Sequence, residues 1–153
     1  MEELLEALAG TAPAQGMRFS RWGYALVNTG HVFGIALLVG AILPLDLRLL
    51  GVWRKLAIEP LARILVPVAA TGLTLAIVTG SLLFLADPLD YAGRRLFLIK
   101  ISLVIAGTLH ALGFQLSNGL QASPTRLQIA GGFSLIAWLS ALVLGRLIAF
   151  TDA

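Results

Sequence analysis

The chain has 153 residues, of which 58% are hydrophobic and only 12% are charged, and its formal net charge is +3. Soluble domains carry about 25% charged residues, so this composition excludes an ordinary soluble enzyme. The small basic excess gives no reason to expect nucleic acid as a partner. The chain contains no cysteine, which excludes disulfides, thiolate metal sites and iron–sulfur clusters.

Residues 1–19 form an N-terminal segment that precedes the apolar part of the chain. Its first charges are acidic, whereas a secretory signal begins with a basic region. We expect residues 2–9 to form a short amphipathic helix at the membrane interface or a frayed end. Pro13 and Gly16 predict that this structure breaks over residues 11–16, before the first span.

Four runs without Asp, Glu, Lys or Arg fill most of the remaining chain. They cover residues 22–45, 64–86, 101–125 and 127–145. A helix needs about 20 apolar residues to cross a hydrocarbon layer of about 30 Å, and each run meets or nearly meets that length. We therefore predict four membrane-spanning helices, at about 20–50, 60–86, 94–117 and 126–150.

The connections between these helices are short, and short connections make sequential helices antiparallel. The predicted fold is an all-α, up-down-up-down bundle of four helices within residues 20–150, with the lipid bilayer as its surroundings. Glycines spaced along the helices indicate close helix packing, within the chain or in a homo-oligomer. Pro67 lies inside the second helix and predicts a kink there.

The only two histidines of the chain, His31 and His110, each lie inside an uncharged run. An ionisable side chain in a membrane span is costly and suggests a function. Gly34 lies one turn from His31, and Gly107 and Gly113 flank His110, so each imidazole has cleared space beside it. Imidazole is a good ligand of haem iron, and helix bundles build such sites between facing helices. We predict that the histidines are axial ligands of haem b.

The depth of the two histidines permits two modes of ligation. If Arg21 and Arg95 lie at the same depth, His31 and His110 are offset by about 7 to 8 Å along the helices. Both can then share one iron after a modest tilt, or one can ligate alone. Two other readings stay open: the histidines hydrogen-bond neighbouring helices, or they relay protons.

A group of cations lies near the N-terminal end of the third span and the C-terminal end of the fourth. Its members are Arg94, Arg95, Lys100 and Arg146. This group can bind haem propionates, an anionic substrate or lipid phosphate, or Lys100 can simply extend to the headgroups. At the far end of the first span, Asp46 is expected either to pair with Arg48 or Arg63 or to be solvated.

Three stretches of the chain resemble known membrane proteins. They are His31 with Gly34 and the Asp-Leu-Arg-Leu-Leu-Gly run at 46–51; Pro67 with the Thr-Gly-Ser-Leu-Leu-Phe run at 79–84; and Phe97 with Lys100 and His110. They resemble a group of four-helix bacterial inner-membrane proteins, and residues 20–150 share the layout of the membrane domain of CopD-type copper-resistance proteins. More distantly, the chain resembles HemJ-type protoporphyrinogen oxidases.

The resemblance implies a bacterial inner-membrane location and two candidate activities. HemJ-type proteins bind haem b and oxidise a porphyrinogen, and His31 and Lys100 match their first-helix histidine and third-helix lysine. CopD-type proteins handle copper, but soft sulfur ligands suit Cu(I) and this chain has no Cys and only two Met. We expect a b-type haem protein that exchanges electrons with a quinone, a porphyrin-like molecule or a redox protein, with catalysis left open. The alternative is a non-enzymatic transport or accessory subunit.

Overall fold

The computed structural model describes residues 2–117 and 119–150. Within these residues the chain is helical and contains no β-strand. The α-helices are α1 (Glu2–Ala9), α2 (Ala12–Phe19), α3 (Arg21–Leu49), α4 (Ile58–Ala86), α5 (Pro88–Gly93), α6 (Arg95–Leu116) and α7 (Pro124–Leu147). Short 3-10 turns follow α6, at Gly119–Gln121, and α7, at Ile148–Phe150.

Four of these helices, α3, α4, α6 and α7, are long and apolar enough to cross a membrane. Large apolar side chains stay exposed on their surfaces, among them Phe33, Ile64, Leu109 and Ile136. In water such a surface would be unstable, whereas lipid tails solvate it. By their length and composition, the four helices indicate a multi-pass membrane protein.

The N-terminal segment differs from its expected form. The expected break over residues 11–16 is confined to residues 10–11, because Ala12–Phe19 forms the second helix, α2. Pro13 lies in the first turn of α2, where its missing N–H leaves no hydrogen bond unmade. Arg18 donates from Nε to the carbonyl of Ala86 at 2.6 Å, so this segment docks on the end of α4.

The α4–α6 connection also contains more structure than the turn that the sequence suggests. Residues Pro88–Gly93 form the short helix α5. The Asp87 side chain caps α5 by accepting a hydrogen bond from the backbone N–H of Asp90 at 3.4 Å. Arg94 then pairs with Asp90 at 2.6 Å, so polar contacts fix the chain where it enters α6.

Helices α3 and α4 pack through glycines. A Cβ added to Gly72 would come within 2.5 Å of the Leu38 nitrogen and 2.7 Å of the Gly34 carbonyl oxygen. A Cβ added to Gly34 would come within 2.8 Å of the Ala76 nitrogen. The two backbones therefore touch, with later residues of α3 meeting earlier residues of α4. Such contact between small residues stabilises helix pairs in lipid.

Close contacts link α4 to α3, α3 to α7 and α7 to α6 among the described residues. Helix α3 packs directly against Gly131 of α7, where an added Cβ would lie 2.7 Å from Cβ of Leu49. Gly107 of α6 receives the ring of Trp138 from α7, at 3.1 Å from an added Cβ. Two ends can be defined from these contacts. The α5 end holds α5 and the start of α6, and the loop end holds the α3–α4 loop and the start of α7.

We predict that Gly72→Ala destabilises the protein by about 1–3 kcal/mol, because the new methyl meets backbone atoms that cannot move aside. Gly40→Ala is the matched control, since an added Cβ at Gly40 has open space. In that variant the better helix propensity of alanine should leave the thermal unfolding temperature unchanged or slightly higher. Equal unfolding temperatures for the two variants would contradict the close α3–α4 contact.

Candidate functional site

The His31 ring lies between α3 and α4 and uses one of its two nitrogens there. Nδ1 lies 2.9 Å from the carbonyl oxygen of Ala76 and 3.1 Å from Oγ1 of Thr79. The Thr79 hydroxyl donates to the Leu75 carbonyl at 2.6 Å, so its oxygen is an acceptor for His31. Because a carbonyl can only accept, Nδ1 carries the proton. Nε2 of neutral His31 then keeps its lone pair.

The packing around His31 also fixes the plane of its ring. Gly80 lies against the imidazole, and a Cβ there would come 2.9 Å from Cε1 of His31. Thr79 is buried and His31 is half-buried. No hydrogen bond to Nε2 is formed within the described residues. This arrangement, with Nδ1–H on a backbone carbonyl and Nε2 free, is the one that orients metal-binding histidines.

Lys100 lies in the same half of the molecule as His31. Its ammonium is close enough to the His31 ring for a Coulombic interaction. The Lys100 side chain lies over Gly145 of α7, and a Cβ added to Gly145 would be 3.4 Å from both Cε and Nζ of Lys100. The side chain is thus half-buried against α7, and its ammonium as well as its stem lies against that helix.

Of the three arginines predicted to accompany Lys100, Arg94 and Arg146 have partners of their own at the α5 end. Arg94 pairs with Asp90 and donates to the Ile148 carbonyl at 3.1 Å. Arg146 lies over the Phe150 ring, 4.6 Å from its centre. Arg95 is exposed. The structure therefore gathers Arg94, Lys100 and Arg146 around the end of α7, but it uses Arg94 to hold the fold together.

Aromatic rings join α4, α5 and α6 at this end. Phe84 and Phe97 stack with their centres 5.6 Å apart, and Tyr91 lies 5.4 Å from Phe97. Burial is the main cause that raises the pKa of Tyr91, and the neighbouring hydroxyl of Tyr24 adds to it. Tyr91 is accordingly neutral and serves as a hydrogen-bond partner of Tyr24.

His110 packs against a different helix and uses its other nitrogen. Nε2 lies 3.2 Å from the Ala130 carbonyl of α7, and the ring centre lies 4.7 Å from that of Phe133. As at His31, the carbonyl can only accept, so Nε2 carries the proton. His110 thus uses the nitrogen that His31 leaves free.

The structure does not bring His31 and His110 together. Ala130, which bonds His110, adjoins Gly131, and Gly131 contacts Asp46 and Leu49 of α3. His110 is therefore level with Asp46, fifteen residues after His31, or about 22 Å along α3. Two imidazoles on one metal ion have nitrogens about 4 Å apart, since each metal–nitrogen bond is about 2 Å. The smaller offset expected from the sequence assumed that Arg21 and Arg95 lie at equal depth.

The glycines predicted beside the histidines have other neighbours. Gly34 is in contact with the backbone of α4, and Gly107 is covered by Trp138. A Cβ added to Gly113 would meet nothing within 4 Å, and that residue is exposed. Gly80 and Gly145, which the sequence did not single out as site residues, are the glycines that receive His31 and Lys100.

Asp46 is the polar residue whose environment differs most from expectation. Its exposed fraction is 3%, whereas a solvated helix end or an ion pair with Arg48 or Arg63 was expected. Arg48 instead donates to the carbonyls of Leu56 and Arg54. Ser134 of α7 lies beside the Asp46 carboxyl group, and one carboxyl oxygen, Oδ2, is buried without a partner. The sequence did carry a signal for this burial, because Asp46 directly follows an uncharged run of 24 residues.

No group of three or more His, Cys, Asp or Glu side chains that could hold a metal ion occurs in the described part of the chain. Comparison with protein-family models, curated proteins and solved structures finds no match. The resemblance to CopD-type and HemJ-type proteins therefore rests on the quoted residues alone. The chemistry of the site has to be argued from its own contacts.

We predict opposite tautomers for the two neutral histidines: Nδ1–H for His31 and Nε2–H for His110. The reason is that Ala76 and Ala130 offer acceptors to different ring nitrogens. Nitrogen-15 chemical shifts of selectively labelled histidine, assigned with His31→Gln and His110→Gln variants, measure this directly. Identical tautomers at both positions would show that one of the two carbonyl contacts is absent.

Proposed function

We propose that this chain is a b-type haem protein of the membrane, with His31 as its axial ligand through Nε2. The observation that carries this proposal is which nitrogen each histidine leaves free. Haem iron is ordinarily held through Nε2, while Nδ1–H is fixed by a hydrogen bond. His31 donates from Nδ1 and keeps Nε2 free, whereas His110 uses Nε2 to bond Ala130.

The residues around His31 fit one-histidine ligation. Ala76 and Thr79 hold the ring from the far side, which fixes the direction in which Nε2 points. Lys100 supplies a positive charge in the same half of the molecule, where a propionate carboxylate needs a counter-ion. Haem b bound here would supply a one-electron couple, and His31 would be the residue that holds it.

The chain's own contribution to redox chemistry is positioning and electrostatics. The Ala76 carbonyl increases the basicity of Nε2 of His31 by accepting a hydrogen bond from its Nδ1–H group. The positive charge of Lys100 favours the reduced form of a nearby redox group. The apolar surroundings exclude water, which strengthens both effects.

The finer parts of the proposal follow from the same contacts and from the resemblance. Opposed directions of α3 and α4 are consistent with an up-down-up-down bundle of four helices. A redox group inside a membrane exchanges electrons most simply with a lipid-soluble partner such as a quinone or a porphyrin-like molecule. A bacterial inner membrane is the location that the resemblance implies.

A second candidate function is a non-enzymatic transport or accessory subunit, which a copper-handling system could include. The observation in its favour is that both histidines bond a backbone carbonyl of a neighbouring helix. Bonds of that kind between membrane helices contribute about 1 kcal/mol. Under this reading, both rings stabilise helix pairs and bind nothing.

We predict that the protein purified from haem-replete cells carries haem b, and that His31→Ala loses most of it. His110→Ala is the matched control and should keep the wild-type ratio of haem to protein, because His110 lies at the other end. The reduced-minus-oxidised absorbance spectrum and a pyridine haemochrome assay measure both. A colourless wild-type protein that also fails to take up added haemin would rule out the haem proposal and favour the accessory subunit.

We further predict that Lys100→Met reduces haem retention and lowers its midpoint potential, because the positive charge that favours the reduced form is gone. Lys100→Arg should retain more haem, since it keeps the charge but changes its geometry. Arg95→Met is the control for a general loss of charge, because Arg95 is exposed. If Lys100→Met and Arg95→Met behave alike, Lys100 has no particular role at the site.

A further inference from the structure

The buried carboxyl group of Asp46 has no role in the proposed haem site. Asp46 lies on α3 at the loop end, whereas His31 and Lys100 lie toward the α5 end. Its side chain faces α7. The two helices touch there because Gly131 has no side chain, and a Cβ added to Gly131 would lie 2.9 Å from the backbone carbonyl oxygen of Asp46. Asp46 is 3% exposed, its carboxyl group lies beside Ser134 of α7, and Oδ2 is buried without a hydrogen-bond partner.

Among the residues that the structure describes, no charged group is placed to neutralise this carboxyl group. On α3, Arg48 is bonded to the loop carbonyls of Leu56 and Arg54. On α4, Glu59 and Arg63 are exposed. The titratable side chains of α7 are Arg126 and Arg146, which are both exposed. On α6, His110 reaches α7 at Ala130, and Arg95 and Lys100 lie toward the other end.

A bare carboxylate in such a place is very unfavourable. An ionised group taken out of water loses far more solvation than one hydroxyl hydrogen bond returns. The buried group must therefore bind a proton or a cation. Metal cations such as Mg²⁺ and Ca²⁺ take six or more oxygen ligands, and the oxygens shown here are those of one carboxyl group and one hydroxyl.

We propose that Asp46, with Ser134 as its hydrogen-bond partner, is a proton-binding site within the membrane region that exchanges its proton with water at the loop end. The bound proton neutralises the carboxyl group without further ligands. Asp46 is three residues before the end of α3, about 5 Å along the helix, so the route to water at this end is short.

The polar face of α7 continues inward from this site. Ser134 and Trp138 are one turn apart on the same side of the helix, and Trp138 is 4% exposed with Nε1 unpartnered. Trp138 Nε1 is therefore a second buried polar atom without a partner on α7, one turn further into the interior than Ser134. This inference does not depend on haem, because neither His31 nor Lys100 takes part.

Infrared spectroscopy of the full chain in lipid vesicles tests the proposal. A protonated carboxylic acid has a carbonyl stretching band that an ionised carboxylate lacks. The acidic side chains of Glu3, Glu6, Glu59, Asp87 and Asp90 are exposed to water, unlike that of Asp46. We expect the wild type to show this band at neutral pH, Asp46→Asn to lack it, and the control Glu59→Gln to retain it.

Three further measurements separate the alternatives. Transfer to D2O should shift the band, which shows that the proton exchanges with water; an unshifted band would overturn the exchange claim. Replacing Na⁺ by a bulky organic cation should leave the band unchanged, and a band that appears only without Na⁺ would assign a metal cation instead. Identical wild-type and Asp46→Asn spectra would overturn the proton site.

A second variant keeps the test informative if Asp46→Asn does not fold. Ser134→Ala keeps the carboxyl group and removes its hydrogen bond, so the band should persist at a shifted frequency. If Asp46→Asn fails to fold, a frequency shift in Ser134→Ala still assigns the band to Asp46. A Ser134→Ala band identical to that of the wild type would assign it to another residue and overturn the proposal.

Discussion

The backbone contact between α3 and α4 at Gly34 and Gly72 is the constraint on which the rest of the molecule depends. Lipid tails are as apolar as the helix surfaces, so hydrophobic burial does little to hold these helices together, and close packing must do so. The contact also fixes the position of His31. The backbone of Ala76 touches Gly34, and the Ala76 carbonyl accepts a hydrogen bond from Nδ1–H of His31. The packing that joins the helices therefore also orients the imidazole.

Packing glycines and site glycines differ in what fills the space that a side chain would take. At Gly72 that space is filled by a neighbouring backbone, and at Gly80 it is filled by the His31 ring. The first kind determines how close two helices come, and the second determines how a polar side chain lies between them. In the amino-acid sequence the two kinds look alike, because both are simply glycines within an apolar helix. Gly34 and Gly107 each lie one turn from a histidine, and for that reason they were expected beside a cofactor.

The sequence predicted the features that depend on local composition. Uncharged runs of about 20 residues identified four helices able to span a membrane, because the length of such a run is set by bilayer thickness. It did not predict α2 or α5, because short helices depend on caps and docking contacts such as Asp87 and Arg18. Relative depth is another feature that the sequence does not give. The relative level of His31 and His110 depends on how helices slide past one another, and no local pattern records that.

Polar groups in the interior therefore fall into two separate sets, and their separation limits what each can do. His31 and Lys100 lie toward the α5 end, and Asp46, Ser134 and His110 lie level with one another toward the loop end. An electron carrier at the first set and a proton carrier at the second would be about 22 Å apart along α3, too far for direct contact. Any coupling between them would have to pass through the packed residues in between, where Leu38, Ala41 and Ala137 are buried.

Such coupling needs an element with two discrete arrangements, and the backbone contacts at Gly34 and Gly72 argue against movement between α3 and α4. The interface of α7 with α6 is built differently, because there the Trp138 ring covers Gly107 and a side chain, not a backbone, makes the contact.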